Sequence, residues 1–384
     1  MKNISNTRSA SALPRLGALA VALAACGSAQ AGVTVAGPGE SYLSLSMWAR
    51  SSYTSQKDAA PDGSRSSDFT LDSVRIITSG KITKNIGGMI NFEKKSDDSM
   101  QVIDAVAQFE LADGINLWFG RMLPPTDRAN LAGPYFANVW EYPGVSQYPA
   151  RNVGRDDGAL LWGNVAGGKL LYAVGAYQGK NRASGLSNDG DEPLYAGRLA
   201  YSFLDPELGY YGTNSYFGQK EVFTVGAAYQ FQKDGVGTAL TKGDYRAWNI
   251  DALFETKLAG GGVLTAEGAY YDYDTDGITD ATSAQCTAAS LSNNCGGATQ
   301  GDAYLATLAY LIPTQVGIGK FQPYVRYQKF DADDSANNSF KQWDFGVTYV
   351  MAGHNARVTA VYSDIENSTV ADTDKFIVGV QLMY

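Results

Sequence analysis

The chain has 384 residues, of which 45% are hydrophobic and only 18% charged, with 43 Gly, 24 Tyr, three Cys and one His. Mean hydropathy is −0.20, and no run of about 18 apolar residues occurs, which excludes a helical membrane protein. The low charge and high aromatic content exclude disorder, and the scarcity of His and Cys excludes most metal and catalytic clusters built from them.

The N-terminus reads as an export signal. Lys2, Arg8 and Arg15 make a basic start without acids, Leu16 to Ala25 is a short apolar run, and Ala29-Gln30-Ala31 is a small-x-small cleavage site. Cleavage before Gly32 is the expectation, with residues 1–31 as signal peptide and 32–384 as one domain. Leu23-Ala24-Ala25-Cys26 offers a rival cut with a lipid on Cys26. Losing three basic residues and no acidic ones moves the formal charge from −9 to −12. So acidic an exported chain is a poor nucleic-acid binder, and no nucleic-acid partner is expected.

From residue 41 the chain alternates. Sixteen segments show period two with one apolar side, the pattern of a half-buried strand. They lie near 41–52, 68–80, 87–95, 101–111, 115–121, 157–165, 169–179 and 194–204. The second eight lie near 220–232, 244–256, 263–273, 302–312, 320–331, 340–351, 356–365 and 374–384. Phe223, Val225, Ala227, Tyr229 and Phe231, for example, oppose Thr224, Gly226, Ala228 and Gln230.

The connections alternate in length. Ala112-Asp113-Gly114, Ala166-Gly167-Gly168 and Ala352 to Asn355 are short turns; 53–67, 122–156, 180–193 and 274–301 are long. Segment 205–219 is the one long member of the short set. Eleven of the twelve prolines avoid the strands; Pro323 sits near a strand start. Proline lacks the donor a closed ladder needs. An even strand number with this loop rhythm is the signature of a transmembrane antiparallel β-barrel. Apolar stripes facing lipid leave no water for backbone groups, so the sheet must have no edge. Ser, Thr, Gln, Asp, Glu and Arg on the other stripes indicate a wet interior, and sixteen strands enclose an aqueous channel.

Three stretches carry a resemblance: Phe69 to Gly87 with Arg75 and Gly80; Leu117 to Pro125 with Gly120 and Arg121; and Gly154 to Gly163 with Arg155, Asp156 and Asp157. In order and spacing they resemble the phosphate-selective porin O/P family, best over roughly 65–180. The resemblance implies a trimeric sixteen-stranded porin with a loop folded inward, whose selective members bind anions on a ladder of Arg and Lys. This chain is acidic and shows no dense Arg/Lys run on one inward stripe.

Connection 122–156 is the first candidate site, because unstructured loops of this length are functional or disordered, and Tyr135, Phe136, Trp140, Tyr142 and Tyr148 argue against disorder. With Arg121 at its entrance it carries Asp127, Arg128, Glu141, Arg151, Arg155 and Asp156. Charges of both signs on a loop folded into a lumen would sort ions by sign and size. The alternative is an outer loop capping the rim or a subunit contact. Arg75, Arg198 and Arg326 lie in strands, and a lipid-facing Arg at mid-depth would cost about 2–4 kcal/mol. They are therefore expected inward, touching the permeant or paired with Asp104, Glu110, Glu267 or Asp344.

Asp272, Asp274, Asp276 and Asp280 have calcium-loop spacing, but Ser283 stands at the twelfth position, so a solvated acidic loop is expected rather than a metal site. Cys286 and Cys295 are expected to form a disulfide in an exported chain, worth about 3 kcal/mol by loop-closure entropy. His354 is expected to be solvated in its turn. No cofactor and no catalytic residue is expected. The sequence thus points to an outer-membrane porin that passes small solutes or ions, surrounded by lipid and lipopolysaccharide and forming a homotrimer. A general or weakly cation-preferring porin is the alternative, and outside that class a surface-exposed β-structured binding (lipo)protein.

Overall fold

The computed structural model describes residues 32–96, 98–148, 154–179, 192–237, 242–278 and 299–384. Cys26, Arg151, Asp280, Cys286 and Cys295 lie outside these. In chain order the strands are β1 (Val33–Ala36), β2 (Tyr42–Gln56), β3 (Ser66–Lys81), β4 (Ile86–Lys94), β5 (Gln101–Ala112) and β6 (Ile115–Met122). Helix α1 (Arg128–Phe136) precedes β7 (Asp156–Val165), β8 (Leu170–Tyr177), β9 (Leu194–Ser202), β10 (Val222–Gly237), β11 (Lys242–Lys257) and β12 (Val263–Asp274). The rest are β13 (Gly301–Leu311), β14 (Gln315–Val316), β15 (Gly319–Ala332), β16 (Phe340–Val350), β17 (Ala356–Asn367) and β18 (Thr373–Met383).

All but β1 and β14 form one ring of sixteen antiparallel strands, each paired with its sequence neighbour and closed where β18 pairs with β2. Each overlaps one of the sixteen alternating segments. The seam is tied by Met47 N to Tyr384 O at 2.7 Å and Tyr384 N to Met47 O at 2.8 Å. The pairing of β18 with β2 reaches Met47, which leaves the start of β2 as an edge. Strand β1 covers it, with Val33 opposite Leu45 and Ala36 opposite Tyr42, so the end of the ladder is not left as a template for another chain.

Outward side chains between the rims are largely apolar and carry two aromatic rows. Trp248, Tyr270 and Tyr304 lie 5.2–5.3 Å apart across three strands, and Tyr327 lies 4.7 Å from Trp343. On the turn side Phe203, Phe223 and Phe254 repeat the arrangement, as do Phe321 and Tyr349. From Trp248 to Phe254 is about 20 Å of strand, the scale of a lipid-facing band between interfacial girdles. Pro323 points outward opposite Val347, where its missing donor is tolerated.

The inner wall departs from expectation in one sector. It is polar on β10, β16 and β17, with Thr224, Gln230, Asp344, Thr348 and Thr359 all buried. On β6 to β9 it is largely apolar. Trp118, Leu160, Trp162 and Tyr177 pack there against Leu131 and Tyr210, which come from two connections lying inside the ring. A lumen-facing wall becomes apolar where chain, rather than water, covers it.

Candidate functional site

Connection 122–156 leaves β6 at the long-loop rim and turns inward through Pro124 and Pro125. Arg198 donates to Thr126 O at 3.0 Å and Gln230 to Pro125 O at 3.0 Å, which fixes the descent against β9 and β10. Asp127 caps α1, its carboxylate accepting from Asn130 N at 3.3 Å. The helix breaks at Gly133, whose φ of 64° a side chain would resist. Beyond it, Tyr135 reaches β3, donating to Ser73 Oγ at 3.0 Å, whereas Asp127 accepts from Tyr271 of β12 at 2.8 Å. Strands β3 and β12 are close to opposite in the ring, so the connection crosses it.

The return path is anchored as densely. Arg357 of β17 donates to Ala137 O at 2.6 Å and Tyr135 O at 3.3 Å. Arg50 of β2 donates to Trp140 O at 2.5 Å and stacks 3.9 Å from the Trp140 ring. Arg326 of β15 donates to Glu141 O at 2.9 Å, and Lys375 of β18 pairs with the Glu141 carboxylate at 2.6 Å. Gly379 makes room for Trp140, since a Cβ there would lie 2.3 Å from the indole. Tyr273 donates to Val145 O at 2.8 Å and accepts from Gln147 N at 2.8 Å, and Tyr148 reaches Asn249.

Most of the inward arginines have carboxylate partners. Arg75 pairs with Glu93 at 2.9 Å and lies 4.9 Å from the Tyr135 ring. Arg155 pairs with Asp104 at 3.1 Å. Arg198 grips Asp251 with two bonds of 2.6 and 2.7 Å. Arg326 pairs with its cross-strand neighbour Asp344 at 2.6 Å. Arg128 makes two bonds to Glu207, at 2.9 and 2.6 Å. Of the four counter-ions expected, Asp104 and Asp344 are used, though Asp104 by Arg155 of the loop. Glu93 and Asp251 are additions. Glu110 instead pairs with Lys81 at 3.0 Å, and Glu267 accepts from Asn214. Asp156 accepts from Gly179 N at 2.7 Å at the loop-side rim.

Arg121 is a correction. It faces outward beside Ala105 and Phe119 and makes two bonds to Asp157, at 2.7 and 3.0 Å. Strand alternation places it with Leu117 and Phe119 rather than with inward Trp118. The described part of the acidic run near 272–280 sits at the end of β12. Arg246 occupies Asp274 and Asp276 at 3.1 and 3.0 Å, and Asp272 faces outward opposite Trp248. Among the described residues no group of three or more His, Cys, Asp or Glu could hold a metal. His354 is a second correction. It is buried against Phe136 and Phe217, with Nε2 2.9 Å from Ser215 O. Burial, with Arg357 nearby, pushes its pKa down to about 3, so it stays neutral.

Arg50 and Arg357, which no sequence motif marks, differ from the other inward arginines. Their hydrogen bonds go to loop carbonyls and the Gln381 amide oxygen, and among the described residues neither pairs with a carboxylate. Each was findable by alternation, Arg50 with Ser46, Trp48 and Ser52, and Arg357 with Thr359, Val361 and Ser363.

Inside the loop, burial beside Asp251 pushes the Asp127 carboxyl up to about 6 despite the hydroxyls of Tyr271 and Ser146. Burial also opposes the charge on Glu207, but there the Arg128 guanidinium and several hydrogen bonds together hold the carboxyl down to about 2.

A closed sixteen-stranded barrel with an apolar outer belt, aromatic girdles and an inward loop of charged side chains defines an outer-membrane porin, a channel protein of the bacterial outer membrane. Residues 45–384 match the family model for phosphate-selective porin O and P, and the chain belongs to that family. Its barrel is similar to an anion-selective porin from Comamonas acidovorans, at 12% identity and a TM-score of 0.58, covering 90% of this chain and 100% of that one. It is also similar to OmpF of Salmonella typhi in complex with daunomycin, at 16% identity and 0.58, covering 90% and 98%. The trimer form of OmpT from Vibrio cholerae matches at 12% identity and 0.57, covering 90% and 100%. A search of curated proteins finds no match.

Proposed function

We propose that the protein is a passive diffusion channel in which connection 122–156 forms the constriction and small anions, phosphate among them, are the preferred permeants. The observation that carries this reading is the anchoring of that connection from opposite walls, Tyr135 to Ser73 on one side and Asp127 to Tyr271 on the other. It narrows a lumen that sixteen strands would otherwise leave wide. The sign of the preference rests on Arg50 and Arg357. Their charges are held against the loop's carbonyls without a paired carboxylate among the described residues, in surroundings where a charge acts over distance. The anion-selective porin of similar fold supports the same sign.

In this reading Arg75, Asp127, Arg128, Glu141, Arg155, Asp156, Arg198 and Arg326 build and charge the narrowed zone. Residues 1–31 are the export signal, the mature chain assembles as a homotrimer, and the aromatic rows sit at the two membrane interfaces, in contact with lipid and lipopolysaccharide. Flux follows the concentration gradient, and no chemical step is assigned. The test is the reversal potential of the reconstituted protein across a tenfold potassium chloride gradient. The expected potential has the sign of chloride preference, and added phosphate reduces the chloride current. A potential of the cation sign contradicts the anion reading and favours the cation-preferring porin.

A further inference from the structure

The connection between β9 and β10, residues 203–221, is the long exception among the short turns, and it rises into the barrel from the turn side. Tyr210, Thr213, Asn214, Ser215 and Tyr216 are buried. The wall holds this segment through Glu255, whose carboxylate accepts from Ser215 Oγ at 2.9 Å, Tyr216 N at 3.0 Å and Gly218 N at 2.7 Å. The turn side adds His354, 3.1 Å from Thr213 Oγ1 and 2.9 Å from Ser215 O. A hydrogen-bonded cradle of this kind fixes main chain that would otherwise be solvated at the mouth.

The upper side of the same segment meets connection 122–156, which comes from the opposite rim. Glu207 takes both Arg128 bonds, and Arg128 also donates to Thr213 O at 2.8 Å. Asn214 N donates to Phe136 O at 3.0 Å, Thr213 Oγ1 to the same oxygen at 3.2 Å, and Asn138 to Asn214 O at 2.5 Å. Tyr210 donates to Leu123 O at 2.7 Å. Phe136 O lies at the C-terminal end of α1, where carbonyls lack partners within the helix. The turn-side segment thus supplies the donors to Phe136 O, while Arg357 and Gln381 of the wall take the flanking carbonyls of Tyr135 and Ala137.

We propose that segment 203–221 is a second constriction element, entering from the turn side, which holds connection 122–156 at its working depth. Glu207 is the positioning residue, acting through Arg128. The two inward segments form one interlocked plug: the loop-side element depends on the turn-side element for its position, and the width of the pore reflects both. This inference rests on the channel reading above, with the constriction in connection 122–156.

The test is single-channel recording in planar bilayers of the wild-type protein, Glu207→Gln, and the exchanged pair Arg128→Glu with Glu207→Arg. Folding of each is checked by heat-modifiable migration on gels. A silent wild-type protein defeats the channel reading itself. With a conducting wild type, Glu207→Gln is expected to raise open-channel current noise and the frequency of subconductance steps about threefold or more, as the loop leaves its single position. The exchanged pair is expected to return both toward wild type. Unchanged noise and steps in Glu207→Gln overturn the inference. So does an equal rise in the exchanged pair, which would trace the effect to local charge rather than to the pairing. Should Glu207→Gln fail to assemble, Tyr210→Phe removes the bond to Leu123 O and keeps the ring. The same rise is expected there, and its absence overturns the inference.

Discussion

Arg50 grips Trp140 twice, donating to its carbonyl at 2.5 Å and lying 3.9 Å from the centroid of its ring. One guanidinium thereby fixes both main chain and side chain of the inward loop, and among the described residues its charge is unpaired by a carboxylate. Position and field come from the same group, so replacing Arg50 tests both.

Arg50→Ala and Arg357→Ala should each shift ion preference toward cations. A unit charge about 10 Å from the permeant at an effective dielectric of 20 is worth about 1.7 kcal/mol, with opposite signs for anion and cation, so the anion-to-cation permeability ratio should fall by up to about two orders of magnitude before screening. Reversal potentials of the two variants check this. Arg50→Lys keeps the charge but weakens the stack on Trp140, and should retain preference while raising current noise.

Arg155→Ala should move preference toward cations without preventing assembly, since the residue joins the loop to Asp104 of β5 and contributes nothing to the ladder. Asp104→Asn should move it the other way. Opposite shifts in reversal potential from the two partners are the expected pattern; an unchanged potential in Arg155→Ala removes it from the pore.

Asp127 gives a pH dependence of definite sign. Burial beside Asp251 raises its pKa from 3.8 to about 6, so the folded chain favours the neutral carboxyl. The resulting stability is fully present below about pH 4 and is lost as pH rises through 6. Asn keeps the cap without the charge. Asp127→Asn should therefore be more stable than wild type at pH 7.5, by at most about 3 kcal/mol, and equally stable at pH 4. Thermal midpoints in detergent at the two pH values measure the difference.

Mass spectrometry of protein taken from outer membranes should find an N-terminus at Gly32 and a mass two hydrogens below that of the reduced chain, reporting the Cys286–Cys295 bond. A diacylglyceryl-modified Cys26 would instead establish the rival cleavage.

The strands were legible because lipid on one face imposes period two on every segment, and residues such as Phe223 through Phe231 keep it without a break. Inward placement of Arg75, Arg198 and Arg326 followed from the same alternation. Arg121 could have been placed by it as well, yet its position beside the Gly120 and Pro124 corner drew it into the loop. The wall was misjudged at Trp118, Leu160 and Trp162 because a stripe does not reveal what covers its inner side. Burial of His354 depends on Phe136 and Phe217, which are distant in sequence and meet only when two connections enter the ring from opposite ends. Alternation fixes which way a strand residue points, and says nothing about how deep a loop descends.

The most direct measurement is the current carried by purified protein inserted into a planar bilayer in potassium chloride. Discrete, ohmic conductance steps, with zero-current voltage on the chloride side in a salt gradient, are the expected result. Protein that inserts as a folded barrel yet passes no current would contradict the account at its root.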